Sequence, residues 1–551
     1  MGYLKREDVS FHYALADAFT LCDAYHCSVH SNTAPNRIYL WSGTVDSQNR
    51  LGKRKNGPGM GERGKTNGYT WTTYPERLQK AGVSWRVYQG GTGVPGTPTD
   101  NYTDNSLEFF AQYQVDEGAS PRSELVQRGV TDRTLVQFKA DVQKGNLPQV
   151  TWVVAPYKYC EHPEASPTDG AYFISLVLDA LTSNPEVWSK AVFFINYDEN
   201  DGLFDHIVPP MPPSTLHANG SGMISNSLQL NLEDEFLNLD LHPHEMRPLI
   251  PGADPGGRQP IGLGPRVPML VVSPWSRGGW TCSETFDHTS VLRFLEKRFG
   301  VEEPNISAWR RSICGDLTSA FDFSKTADRR IVSYPAPQPI ASSHQPYSIP
   351  AVQKMPEQEP GIRPARAIGY ALDTQLRHED KKLWLDLRNG GSIGAAFYVY
   401  DQKNPTTPPR RYSVAAGDTL SDFWEVANDS SFDLQVHGPN GFFARHTGIS
   451  QATGLQIEVR HDASKQTLQV NLKNPSGTPV NVAWEEKLTK STGQDVEVAP
   501  QSNASFAVPL SASSGWYELS ITQVGSPAAL KLQLAGHVES GHPSQTQPML
   551  G

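Results

Sequence analysis

The sequence predicts an α/β domain built on a mostly parallel sheet sandwiched by helices, followed by two small all-β, sandwich-like modules. Three observations carry this. Apolar runs at Val150–Ala155, Ala191–Asn196 and Arg266–Val272 are too short for helices, and each stops at a loop bearing acids, histidines or hydroxyls, as strands do at the ligand-binding edge of an open α/β sheet. Between the first two runs, Gly170–Leu181 reads as a crossover helix, giving the strand, loop, helix, strand order of a right-handed parallel unit. Beyond residue 364 the pattern becomes short alternating runs punctuated by Gly, Asn and Pro, and pairs of those runs repeat.

Taken in order, Val9–Phe19 places Phe11, Ala14, Leu15 and Ala18 at helical spacing with Ser10 as N-cap. A helix this early, with no strand before it, predicts that sheet-forming sequence lies upstream. Ser28–Arg37 is a polar loop whose hydroxyls, Ser31 and Thr33, suit either turn and cap duty or, on a metal, a nucleophile's. In Tyr69–Gln89, Pro75 opens a helix, Gly82 closes it and Val83–Tyr88 is extended, so this stretch is scaffold.

Three strand-end loops then bring chemistry to one edge. After Val150–Ala155, Tyr159-Cys-Glu-His-Pro163 places His162 there, where a histidine is either ordinary loop polarity or a proton donor to a leaving group. After Ala191–Asn196 come Asp198, Glu199, Asp201, Asp205 and His206. That cluster fits a hard-metal or phosphate site and also fits a solvated acidic turn. After Arg266–Val272 a turn leads to Phe286-Asp-His-Thr289 and a helix with Val291, Leu292, Leu295 and Phe299 inward, closed by Gly300; His288 at its start is a cap, a packing residue or a phosphate contact. His242-Pro-His244-Glu245 has neither helical nor hairpin context and is given no role.

Composition narrows the class. A net charge of −10 over 551 residues argues against a nucleic-acid binder, which needs clustered Lys and Arg. The cysteines, Cys22, Cys27, Cys160, Cys282 and Cys314, are scattered, without zinc spacing, and read as buried thiols. No stretch approaches the roughly 18 apolar residues of a membrane span, and no signal-peptide pattern opens the chain, which predicts a cytoplasmic product if it is made as written.

The predicted domains are a catalytic unit over 1–330, a Pro-rich linker over 331–364, β modules over 365–450 and 451–540, and a tail over 541–551. The modules rest on a repeat: Leu383–Asn389 parallels Leu468–Asn474, and Ser431–Val436 parallels Trp516–Ile521. Trp384 and Trp516 are read as core residues before ligand contacts.

The motifs CDAYHCSVHSNTAPNR, YTWTTYPERL, EHP, YDENDGLFDH, RVPMLVVSPWSRGG and FDHTSVLRFLEKRFG resemble, in order and spacing, the bacterial phosphocholine-preferring phospholipase C family, which includes certain acid phosphatases. The resemblance spans nearly the whole chain. It implies an alkaline-phosphatase-like catalytic fold and hydrolysis of phosphatidylcholine or sphingomyelin to phosphocholine and diacylglycerol or ceramide. Thr33 in TAPNR looks like the nucleophile and a metal ligand, Asp198 and Glu199 look like ligands of one divalent or other hard metal ion, and Asp201, His162 and His288 look like phosphoryl or leaving-group residues. The implied partners are a phospholipid substrate and, peripherally, a membrane surface; the implied setting is secreted or periplasmic.

The chain departs from the family pattern in one respect. Members carry an upstream Glu-Asn-Arg-Ser-Phe motif that completes the metal site, behind a secretion signal, and this sequence begins just downstream of both. The departure predicts a site short of two ligands, a sheet short of its first strands, and weak or no activity and poor folding in the chain as written. The alternatives are an acid phosphatase acting on monoesters and a non-catalytic remnant whose β modules bind lipid or envelope glycans.

Overall fold

The computed structural model describes residues 2–53, 55–64, 67–90, 101, 103–114, 123–203, 205–213, 222–242, 257–339, 352, 354–355, 357–379, 381–427, 430–450, 454–493, 495–525 and 530–547. His244 and Glu245 lie outside them, as does 340–351 of the Pro-rich stretch. Helix α1 (Ser10–Ala18) buries Phe11, Leu15 and Ala16, and leads directly into strand β1 (Thr20–Cys22). Helix α2 (Thr33–Ser42) ends at Gly43, whose φ of 72° and crowding by Glu303 and Ile306, 2.8 Å from where a Cβ would stand, both require glycine.

Strands β2 (Trp85–Gln89) and β3 (Val150–Val154) pair in parallel. Helix α3 (Pro167–Thr182) follows, opened by Ser166, whose hydroxyl accepts from the Thr168 N–H, and by Pro167. Its Phe173, Val177 and Leu181 recur every turn and pack among Phe138, Val142, Val153 and Phe193. Strand β4 (Phe193–Asn196) comes next, then β5 (Gly222–Ile224), β6 (Met269–Val272) and β7 (Trp280–Cys282). Helix α4 (His288–Phe299) is opened by a capping box between Asp287 and Ser290 and closed by Gly300. Helix α5 is Ala308–Ile313, and β8 is Pro364–Ala365.

The main catalytic-side sheet is mixed, which corrects the expectation of a mostly parallel one. Its order is Ser544–Gln545, β8, β7, β1, β6, β4. Only β1 with β7 and β8 with β7 run parallel; β1 with β6, β4 with β6, and β8 with Ser544–Gln545 are antiparallel. The reason lies between β6 and β7: the stretch Ser273–Gly279 is too short for the crossover a parallel return needs, so β7 comes back reversed, and β1 inserts between the two. Nor do β3 and β4 pair with each other across α3: β3 pairs with β2, and β4 with β6.

The C-terminal region is all β. Two three-stranded sheets, centred on Lys382–Asn389 and Thr467–Asn474, share one apolar core with a ten-stranded sheet. The repeat has a buried polar anchor: Asn389 Nδ2 reaches the carbonyls of Ile393, Val414 and Ala415, and Asn474 Nδ2 those of Thr478, Val498 and Ala499. Each amide satisfies loop carbonyls that would otherwise be buried without a donor. Pairing of Phe443–Ile449 with Lys531–His537 joins the two repeats in the large sheet, and β5, from the catalytic side, adds in parallel to Arg410–Val414. Trp516 is buried, whereas Trp384 is half-buried with Arg377 and Lys382 over its ring.

Glu284 gives this core a pH dependence. Its buried carboxylate accepts from Ser319 Oγ at 2.5 Å, and burial, reinforced by Asp316, raises it to about 7 from the usual 4.5. The folded chain therefore holds a proton that the unfolded chain releases, so stability falls as pH rises from about 4.5 to about 7 and is flat above. Glu284→Gln is expected to be more stable than the parent at pH 8, by on the order of 2 kcal/mol, and nearly equal to it at pH 4.5. Urea unfolding at both values measures this, and an unchanged difference between the two pH values would refute it.

Candidate active site

The turn after β4 presents the acids. Tyr197-Asp-Glu-Asn-Asp201 leaves the sheet and reverses through two successive left-handed residues, Asp201 (φ 50°) and Gly202 (φ 73°). Helix α2 meets it end-on. Thr33, the first residue of α2, donates from Oγ1 to Glu199 Oε1 at 2.9 Å. One turn on, Arg37 donates from Nε to Asp198 Oδ2 at 2.9 Å and from Nη1 to the Asp104 carbonyl at 2.9 Å. Asn36 secures the preceding loop, accepting from Val29 N–H and reaching the carbonyls of Val29, Ser31 and Asn32 with its amide.

The electrostatics follow from crowding. Burial and the neighbouring Asp198 charge push Glu199 up to about 7, and the same two causes push Asp201 up to about 6. Burial also works against ionised Asp198, but Arg37 outweighs it and holds that carboxyl below its usual range. His162 lies close enough to favour the ionised forms of both Glu199 and Asp201. The site therefore joins Thr33, Asp198, Glu199, Asp201 and His162, drawn from residues 33, 162 and 198–201.

His288 reaches the same turn from behind. It is 1% exposed, its Nδ1 receives the Ser28 N–H at 3.2 Å, and its Nε2 lies 2.9 Å from the Tyr197 carbonyl. A backbone N–H can only donate, so the proton sits on Nε2 and is given to Tyr197. Burial lowers the pKa of this ring, which keeps it neutral. Below it, Asp287 accepts from Ser28 Oγ at 2.7 Å and from Arg310 Nη1 at 2.6 Å, and Arg310 also pairs with Glu235; all three charged side chains are buried.

The structure also gives partners to residues to which the sequence assigned no separate role. Asp205 is committed to an ion pair with Arg266 at 2.8 Å. Glu161, in the left-handed region at φ 62°, accepts from the Tyr197 hydroxyl at 3.0 Å and faces His12 Nε2 at 3.2 Å. It packs on Gly170, where a Cβ would lie 2.1 Å from Glu161 Cγ. Arg37 and Asn36 stood within the TAPNR motif, and Glu161 within EHP, so the motifs themselves were the available signal.

Thr33, Asp198 and Glu199 offer one hydroxyl and two carboxylates, a hard oxygen set suited to a hard cation. Burial first, and then the Asp198 charge, raises both Glu199 and Asp201, and a cation among these oxygens would favour their ionised forms. Among the described residues, no group of three or more His, Cys, Asp and Glu is placed to hold a metal.

Comparison with known proteins bears on the chemistry. The phosphoesterase family profile matches residues 1–302, and that of the bacterial phospholipase C C-terminal domain matches 364–448. The chain is 40% identical over 585 aligned residues to the non-hemolytic phospholipase C of Pseudomonas aeruginosa, covering 100% of this chain and 78% of that protein. It is 38% identical over 624 to the hemolytic phospholipase C of the same organism, covering 100% and 80%. Phospholipase C A of Mycobacterium tuberculosis is 39% identical over 386, covering 65% and 67%.

Proposed function

Because the chain belongs to the phosphoesterase family and is a phosphodiester hydrolase of phospholipase C type, we propose that it splits phosphatidylcholine or sphingomyelin into phosphocholine and diacylglycerol or ceramide, with Thr33 as nucleophile. The observation that carries this reading is the 2.9 Å hydrogen bond from Thr33 Oγ1 to Glu199 at the mouth of α2. It aims the hydroxyl proton at a carboxylate and leaves the oxygen lone pairs for phosphorus.

In this reading Thr33 Oγ attacks phosphorus and the bond to the lipid oxygen breaks. The departing alkoxide takes a proton from His162. Water then attacks phosphorus, giving its proton to His162, the bond to Thr33 breaks as Oγ takes back the proton that passed to Glu199, and phosphocholine leaves. His288 acts by holding the Tyr197 carbonyl and, through it, the acids at 198 and 199. Thr33, Asp198 and Glu199 would hold a hard divalent cation, which when bound supplies Lewis-acid activation of the hydroxyl and neutralises phosphoryl charge. The catalytic fold is alkaline-phosphatase-like in this reading. A bilayer substrate implies peripheral contact with a lipid surface, in the secreted or periplasmic setting that the resemblance supports. No helix among the described residues is long and apolar enough to cross a membrane.

The test compares p-nitrophenylphosphorylcholine with p-nitrophenyl phosphate. The diester is expected to be favoured by about tenfold or more in kcat/KM, with turnover lost on chelation and restored by a divalent ion. Turnover of the monoester alone would make the chain a phosphatase instead.

A further inference from the structure

The site is crowded with acids, Asp198, Glu199, Asp201 and nearby Glu161, yet the substrate class it is assigned is itself anionic. Arg37 is the guanidinium that the described residues bring to this turn, and its placement suits more than neutralising Asp198. Side chains on a helix tilt toward the N-terminus, so a residue four positions after Thr33 runs back along the same face toward the Thr33 hydroxyl. The two contacts named above leave from opposite edges of the guanidinium, Nε to Asp198 Oδ2 and Nη1 to the Asp104 carbonyl, with Nη2 between them. Nη2 stands 3.5 Å from Asp104 Oδ2, an ion-pair distance longer than a hydrogen bond. The side chain as a whole remains 22% exposed.

We infer that Arg37 is a substrate-contacting residue, which takes the non-bridging oxygens of the phosphoryl group reacting at Thr33; the inference rests on the reading of Thr33 as nucleophile. A guanidinium has five N–H groups, and the two anchors that fix its plane leave three hydrogens, two of them on Nη2, to meet phosphoryl oxygens. Because Asp198 and Asp104 hold the plane beforehand, little side-chain freedom is lost when the anion arrives. Asn32 makes no side-chain cap, which leaves the Thr33 and Ala34 N–H groups of the first turn without one; Pro35 carries no N–H.

The bland alternative is that Arg37 serves only as a counter-charge for Asp198. The two roles separate on substitution by lysine, which keeps the charge and loses the planar fork. The experiment measures inorganic phosphate binding to the full chain by calorimetry, and phosphate inhibition of p-nitrophenylphosphorylcholine turnover, for the parent, Arg37→Lys and Arg37→Met. Phosphate affinity is expected to fall about tenfold in Arg37→Lys and about a hundredfold in Arg37→Met, with matching losses in kcat/KM. Phosphate affinity in Arg37→Lys within twofold of the parent overturns the inference in favour of the counter-charge. If Arg37→Met does not fold, as judged by circular dichroism, Arg37→Lys alone decides. A parent that binds no phosphate, or a Thr33→Ala chain that still turns over, defeats the reading of the site as well; Thr33-dependent turnover with phosphate affinity indifferent to Arg37 defeats only this inference.

Discussion

Thr33→Ala is expected to lower p-nitrophenylphosphorylcholine turnover by about a thousandfold or more while leaving the fold intact. The size of the effect follows from the role: without the hydroxyl no bond to phosphorus forms, and what remains is binding and charge stabilisation by the surrounding groups. The intact fold follows from the setting. Thr33 is half-buried, it follows the N-cap and is not itself the cap, and its side chain makes one hydrogen bond, to Glu199. Thr33→Ser restores a hydroxyl at the same place and is expected to recover a substantial part of the rate. The check is kcat for each variant beside its thermal midpoint. An alanine variant with more than about a tenth of parental kcat would remove Thr33 from the mechanism.

The largest stability effect is expected at Arg310. Its guanidinium is fully buried, sits between Glu235 and Asp287, donates to the Ser28 carbonyl and lies 4.1 Å from the Tyr39 ring centre. Burial disfavours every charge here. Even so, Asp287 stays below its usual range because Arg310, Thr289 and Ser28 all favour its ionised form, while burial leaves Glu235 raised. Arg310→Met strands two buried carboxylates and is expected to cost about 3–5 kcal/mol in urea unfolding. Adding Glu235→Gln removes one of them and should return part of the loss. Equal stability of Arg310→Met and the parent would show that this network contributes nothing to the fold.

The same network shows what could be read beforehand. Helix α4 was legible from Val291, Leu292, Leu295, Phe299 and Gly300, because helical spacing and a glycine stop are local signals. The acid turn was legible because five titratable side chains stand within ten residues of a strand's end. Arg37 stood in a motif that marked its neighbourhood, but its partner was not legible, since an arginine in a helix ordinarily reads as solvated and the fold is what sets it against Asp198. The direction of β6 against β7 was hidden because alternation and apolarity are the same in parallel and antiparallel strands. β5, β8 and Ser544–Gln545 are two or three residues long, below the length at which any periodicity can be seen. Pairing between the two repeats was equally silent, since an edge strand and an interior strand of an antiparallel sheet carry the same pattern.

The pairing of Ser544–Gln545 with β8, and of β8 with β7, has a consequence for the order of folding. On the ribosome, β7 emerges more than two hundred residues before the last strand that shields its side of the sheet. Until then the catalytic sheet carries an open edge, the kind of surface on which nascent chains pair wrongly or recruit chaperones. Synthesis of the C-terminal β region is thus a waiting period for the catalytic half, and a stop codon shortly before residue 544 should show itself as aggregation of the shortened chain.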